Sequence, residues 1–159
     1  MSGALAGAAW YLVDAVPAVG PFVLYGPEGR HAATVRRTRT GEQLVLTDGH
    51  GNHCQATVTA TGNSSLTLAV TDLHTDPLPA LTVTVVQALP KGERSDLAVD
   101  LLTEAGVDTI VPWQAERCIA RWSGPKAQHG AEKWRMVAIQ AAKQSRRAWV
   151  PTVRELAST

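Results

Sequence analysis

The sequence predicts an α+β protein: a small β-barrel or sandwich followed by an α/β unit on a mainly parallel sheet. Three observations carry this. Residues 10–75 are short β-rich runs punctuated by turn residues, the grammar of small barrels and sandwiches. Asp76–Pro77–Leu78–Pro79 then reads as a linker, because two prolines limit strand pairing and stiffen the connection. Beyond it the pattern becomes β-α-β-(β)-α-β, which fits a parallel sheet with helical crossovers. The predicted domains are 1–76 and 77–159.

In the first part, Trp10–Val13 and Phe22–Tyr25 are apolar bursts separated by Pro17, Gly20 and Pro21. Gln43–Thr47, Cys54–Ala60 and Ser65–Val70 are further strands, joined at Asp48–Gly49, Gly51–Asn52 and Thr61–Gly62–Asn63, which are hairpin signals. His31 to Arg39 reads as one or two helical turns. Gly26–Pro27–Glu28–Gly29 reads as a plain turn, since no helical pattern follows it as a phosphate cradle requires.

In the second part, Leu81–Leu89 is a nearly continuous apolar strand of the kind buried in parallel sheets. Pro90–Lys91–Gly92–Glu93 is a loop and Ser95 a helix cap. Leu97, Ala98, Leu101, Leu102 and Ala105 follow helical spacing up to the stop at Gly106. Thr109–Pro112 is a second strand, and Cys118–Trp122 reads as a short third. Ala131–Ala148 is the longest helix, ended by Pro151, with Val150–Val153 opening one more strand. The loops after these strands are not rich in glycine, as ligand loops of open α/β sheets usually are.

Composition narrows the function. The 159 residues are 45% apolar and 18% charged, with a formal net charge of +1. That excludes a disordered chain, and no apolar run approaches the ~20 residues of a membrane helix. Met1–Ala9 lacks a positive start and is interrupted by Gly3 and Gly7, so it reads as a frayed end rather than a signal peptide. Cys54 and Cys118 form no CxxC pair and read as free thiols in a reducing cytoplasm. His50, His53 and Cys54 lack a fourth ligand nearby, so no metal is expected. No catalytic triad, carboxylate pair or Walker loop stands out.

The net charge hides a strong asymmetry. Residues 1–90 carry four Arg and no Lys against six acids, a balance of −2. Arg117 to Arg154 carries nine basic residues against Glu132 alone, a balance of +8. Density of this kind attracts phosphate and releases counterions when phosphates are neutralised. Trp113, Trp122, Trp134 and Trp149 lie among these arginines and can stack bases or pack in a core; Trp134, on the apolar helix face, reads as core.

Several motifs then line up in order: His31-Ala-Ala-Thr-Val35-Arg36-Arg37 with Gly41-Glu42; Leu89-Pro90-Lys91-Gly92-Glu93-Arg94; Thr103-Glu104-Ala105-Gly106-Val107-Asp108; Glu116-Arg117-Cys118; and the run from Ala141 to Pro151 containing Gln144-Ser145-Arg146-Arg147. Together they resemble the RsmE-type 16S rRNA uridine-N3 methyltransferases, over nearly the whole chain from Trp10. Arg36, Ala105 and Arg146 depart from the family pattern. The resemblance implies a PUA-like β-barrel that binds RNA, then the first part of a SPOUT α/β domain without its C-terminal knot. It implies an S-adenosylmethionine-dependent enzyme acting on N3 of a uridine in small-subunit rRNA, cytoplasmic and homodimeric, with no membrane association. The family's glycine-rich cofactor loops follow the Pro151 region, so no cofactor residue is assigned here, and the 159-residue chain is expected to bind RNA without methylating it. The expected RNA contacts are His31, Arg36, Arg37, Lys91, Arg94, Arg117, Gln144, Arg146 and Arg147, with Arg146 and Arg147 neutralising phosphates. The competing reading is a non-catalytic RNA-binding or adaptor module.

Overall fold

Leu44 and Leu46 alternate with Val45 along β3 (Gln43–Thr47), and that period of two sets the register of the first sheet. Leu46 lies opposite Cys54 and Leu44 opposite Ala56 on β4 (Asn52–Thr61), so the inward positions of both strands meet. The structure, a computed structural model, describes residues 7–159; the frayed start expected from Met1 lies, up to residue 6, outside the described residues. The chain divides into two compact units, Met1–Pro77 and Leu78–Thr159.

In the first unit the strand order is β1-β3-β4-β5-β2, with β1 (Ala9–Leu12), β2 (Gly20–Leu24) and β5 (Leu66–Thr75). β1 runs parallel to β3 and every other pair is antiparallel. Bulges in the β4–β5 ladder after Gln55 and Val58 restore parity, keeping Ala56 opposite Val70 and Val58 opposite Leu68 in the core. The β3–β4 hairpin is closed by Asp48. Its carboxylate accepts from the His50 and Asn52 backbone N–H groups (2.7 and 3.2 Å) and from Asn52 Nδ2 (2.7 Å). Gly49 and Gly51 supply the positive φ values (76° and 91°) that this turn requires.

Burial raises the Asp48 pKa, but these three hydrogen bonds outweigh it and the net shift is downward. A carboxyl depressed in the folded state contributes stability above its unfolded pKa and loses it as pH falls through the folded value. Asp48→Asn is therefore expected to destabilise the unit at neutral pH, with the gap to wild type closing below about pH 4. Urea titrations at pH 7 and pH 3 check this; a pH-independent gap would refute it.

Gly26–Gly29 is helical, correcting the turn expected there. Pro27 sits in the first turn of α1 (Gly26–Arg30), where its fixed φ suits a helix. The helix passes directly into a π-helical turn, His31–Val35, which buries Ala32 in the core.

The second unit has strand order β6-β7-β8, all parallel, with β6 (Thr84–Ala88), β7 (Thr109–Gln114) and β8 (Thr152–Val153); β9 (Ala157–Ser158) also pairs with β7. α2 (Arg94–Glu104) and α3 (Pro125–Gln144) form the crossovers. Leu89, Val99, Val107, Ile110, Trp134, Ala138 and Val153 form one core between helices and sheet.

Four expectations change here. Among the described residues β6 pairs with β7 alone and Val86 is 57% exposed, so this strand is a half-covered edge rather than a buried one. Cys118–Trp122 is a loop: the Trp122 backbone N–H bonds the Gln114 side chain (2.7 Å), and its indole packs on Trp134 instead of leaving a strand free to pair. Ser95 does not cap α2; its hydroxyl accepts from Trp134 Nε1 (2.8 Å), tying α2 to α3. The long helix starts at Pro125 and ends at Gln144. Arg146 takes φ +57°, and the Arg146 and Arg147 N–H groups bond back to Lys143 and Ala142, the two bonds of a Schellman stop.

Candidate nucleic-acid interface

All four arginines of residues 1–90 lie between residues 30 and 39, and all are exposed. The local fold explains their presentation. Ala32 anchors the π-turn in the core, and the buried Thr38 reaches Tyr11 through its hydroxyl (3.5 Å). The residues between these anchors project outward: Arg36 and Arg37, the latter held in the left-handed region at φ +54°. His31, at the start of the turn, is exposed and lies edge-on to the Tyr11 ring at 6.4 Å. Burial pushes the Tyr11 phenol pKa up, against the pull of Thr38 and of the Arg36 charge. The phenol is thus a neutral strut for the basic turn. Arg36 also borders a polar cleft of about 390 Å³ shared with Thr38, Glu42 and Gln43. Arg30 and Arg39, outside the family motifs, are exposed in the same short segment, and this crowding is their signal in the sequence.

In the second unit the expected contacts separate into two groups. Lys91 lies in the loop after β6, Arg94 opens α2, and Arg117 lies in the turn after β7; all three are exposed at the carboxyl ends of the parallel strands. That end is where open α/β sheets bind ligands. Gln144, Arg146 and Arg147 lie at the far end of α3, about 27 Å along the helix axis from its first turn.

Arg147 is occupied internally. Its Nη1 donates to the Thr103 carbonyl (2.7 Å) and the Val107 carbonyl (3.0 Å), and its Nη2 lies 3.7 Å from Asp108. Its side chain is only 17% exposed. Burial lowers its pKa and Asp108 partly offsets that. Arg147 therefore clamps the end of α3 to the α2–β7 connection instead of presenting its charge to a phosphate. Arg146 and Gln144 remain exposed beside it.

What the sequence reading missed is a second basic group, beside the loop that holds Lys91. Arg121, Lys126, His129 and Lys133 border a cleft of about 340 Å³ with Pro90, Gly92 and Ser95. Among the described residues no group of three or more His, Cys, Asp or Glu side chains is placed to hold a metal ion. Cys54 points into the barrel core, while His53 lies between Trp10 and His74, with ring centroids 5.4 and 5.2 Å away.

A profile of RNA methyltransferase domains matches residues 76–159, and one of RNA methyltransferase PUA domains matches residues 24–71. This chain belongs to the RNA methyltransferase family. Among curated relatives, the ribosomal RNA small subunit methyltransferase E proteins of Mycobacterium bovis and Mycobacterium tuberculosis are 49% identical over 150 residues, 94% of this chain and 57% of theirs. The Bacillus subtilis protein of the same name is 27% identical over 139 residues, 86% of this chain and 54% of its own. A crystal structure of ribosomal RNA small subunit methyltransferase E from Neisseria gonorrhoeae, bound to S-adenosyl methionine, superposes with a TM-score of 0.80 at 29% identity; it covers 95% of this chain and 63% of that one. The chain thus spans little more than half the length of these curated relatives.

The family's cofactor calls for a cradle for an adenosine and a sulfonium. The loops after β6 and β7 are Leu89–Glu93 and Ala115–Gly124, neither glycine-rich, and Gly26–Gly29 is a helical turn in the other unit.

Proposed function

We propose that this chain is the RNA-recognising unit and the leading part of the catalytic unit of an S-adenosylmethionine-dependent methyltransferase that modifies N3 of a uridine in 16S rRNA. The observation that carries the reading is the 49% identity, across both units, to ribosomal RNA small subunit methyltransferase E. The working form is a cytoplasmic homodimer; among the described residues no helix is long and apolar enough to cross a membrane. The domains divide as 1–76 for RNA binding and 77–159 for the first part of the catalytic unit.

The work of the described residues is to bind and orient RNA. His31, Arg36 and Arg37 on the first unit, and Lys91, Arg94 and Arg117 at the carboxyl ends of the parallel strands, are the proposed contacts. Cations there hold phosphates, and a positive field also favours the anionic form of a uridine ring, whose N3 must lose its proton before it is methylated.

With 30S subunits lacking the modification and labelled S-adenosylmethionine, the 159-residue chain is expected to bind RNA and transfer no label. A protein of the relatives' full length is expected to transfer it and to create a reverse-transcriptase stop, because N3 methylation blocks base pairing. Label transfer by the 159-residue chain would overturn this division of labour. Absence of transfer by the longer protein would favour an RNA-binding adaptor. Arg36→Ala with Arg37→Ala is expected to flatten the salt dependence of RNA binding by about 1.5 log units per log unit of salt; an unchanged slope would remove that turn from the interface.

A further inference from the structure

We infer that the cleft between the Pro90–Ser95 loop, the Arg121–Trp122 loop and the first half of α3 is a second phosphate-binding subsite, which grips the RNA backbone within the catalytic unit. The inference rests on the RNA-binding reading above and adds a location and residues to it.

Four features of the cleft point to a polyanion. First, Arg121 comes from the loop after β7, whereas Lys126, His129 and Lys133 come from α3, so two elements converge on one concavity of about 340 Å³. Second, the cleft keeps an excess of positive charge. Asp96 pairs with Lys133 at 2.8 Å, and the Arg121 guanidinium donates to the Glu116 carbonyl at 2.8 Å, an uncharged acceptor that leaves its charge unneutralised. Among the described residues no ion pair is formed by Arg121 or Lys126.

Third, Lys126 stands in the first turn of a 20-residue helix. Helix N-termini carry partial positive charge and favour Asp or Glu, so a lysine there opposes the dipole and costs stability. That turn holds no acid and its N-cap, Gly124, makes no side-chain cap. Lysine and helix end together give a concentrated positive site that an anion relieves. Fourth, the floor is fixed. A Cβ on Gly130 would lie 2.6 Å from the Trp122 ring, so glycine is what lets the indole seat on α3, and Trp122 contacts Trp134 edge-on at 5.3 Å. The cations are therefore displayed from a packed base.

Cations supplied to one cleft by two elements suit the phosphodiesters of a strand. Such contacts position the RNA without reading its sequence, so a labelled poly(U) strand is a suitable probe. In fluorescence anisotropy across a salt series, Arg121→Gln with Lys126→Gln is expected to flatten the slope by about 1.4 log units, and Arg154→Gln, at an exposed arginine after β8, by less than about 0.3. Lys126→Glu alone is expected to weaken binding further than Lys126→Gln, while thermal unfolding shows the variants folded. An unchanged slope for the double variant, with wild type still binding, overturns the subsite and leaves the RNA-binding function standing. Equal flattening by Arg154→Gln also overturns it, because the charge would then act without regard to place. Failure of the wild-type chain to bind RNA removes both readings.

Discussion

Arg147→Ala is expected to destabilise the second unit by about 3 kcal/mol. The guanidinium makes two charge-assisted hydrogen bonds, to the Thr103 and Val107 carbonyls, and pairs at longer range with Asp108. Hydrogen bonds to charged groups contribute about 1.5–3 kcal/mol each, and stranding a half-buried partner adds its desolvation cost. Both carbonyls flank the turn that carries α2 into β7, so their loss loosens the junction on which the central strand depends. Urea denaturation followed by tryptophan fluorescence is a direct measure, since four of the five tryptophans lie in this unit. Arg146→Ala, one residue earlier and exposed, is expected to change stability by less than about 0.5 kcal/mol. A loss below about 1 kcal/mol for Arg147→Ala would show that the clamp is dispensable.

Gly29→Ala is the second large effect, at about 3 kcal/mol or more in the first unit. A Cβ at Gly29 would collide with the Leu24 carbonyl group, its carbon 2.9 Å away, and lie 3.0 Å from the Ser64 carbonyl oxygen. These are backbone atoms at the end of β2 and at the turn before β5, so no rotamer change relieves the clash. The helix must lift, carrying the Arg36–Arg37 turn with it. Chemical denaturation monitored by circular dichroism checks the stability, and RNA affinity should fall in parallel. Wild-type stability in this variant would mean that α1 does not need its close seat on β2.

Elements whose pattern was both local and periodic were legible in the sequence. The β-rich runs Gln43–Thr47, Cys54–Ala60 and Ser65–Val70, with the turn residues Asp48–Gly49, Gly51–Asn52 and Thr61–Gly62–Asn63 between them, declared the β3–β5 meander, because hairpin chemistry is written locally. Trp134 on the apolar stripe of its helix was likewise placed in the core. The elements that were misread were decided by partners distant in sequence. Gly26–Gly29 looked like a turn because its reason for being helical is the Leu24 and Ser64 backbone beneath it. Cys118–Trp122 looked like a strand because nothing local shows that Trp122 will seat on Gly130.

The candidate site shows the same division. The motifs around Lys91 and Arg94 and around Arg36 and Arg37 located basic segments, and the +8 stretch marked where positive charge is densest. Charge along the chain does not say where each side chain points, however. Arg146 and Arg147 are neighbours in sequence, yet one is exposed and the other faces the Thr103 and Val107 carbonyls. Arg121 and Lys126 belong to the +8 stretch but to none of the family motifs, and they line one cleft.

By itself the sequence determined the order of most elements, the change from a barrel-like to a parallel α/β grammar, the family, and the excess of positive charge behind a net of +1. The family follows from the resemblance that the Leu89–Arg94 and Ala141–Pro151 motifs carry, and the rest from local periodicity, turn residues and composition. The tertiary structure alone decided which arginine is structural, where the helices start and stop, and which cations share a surface. These depend on carbonyls, ring faces and helix ends brought together from distant parts of the chain, and such juxtapositions leave no periodic trace in the residues themselves.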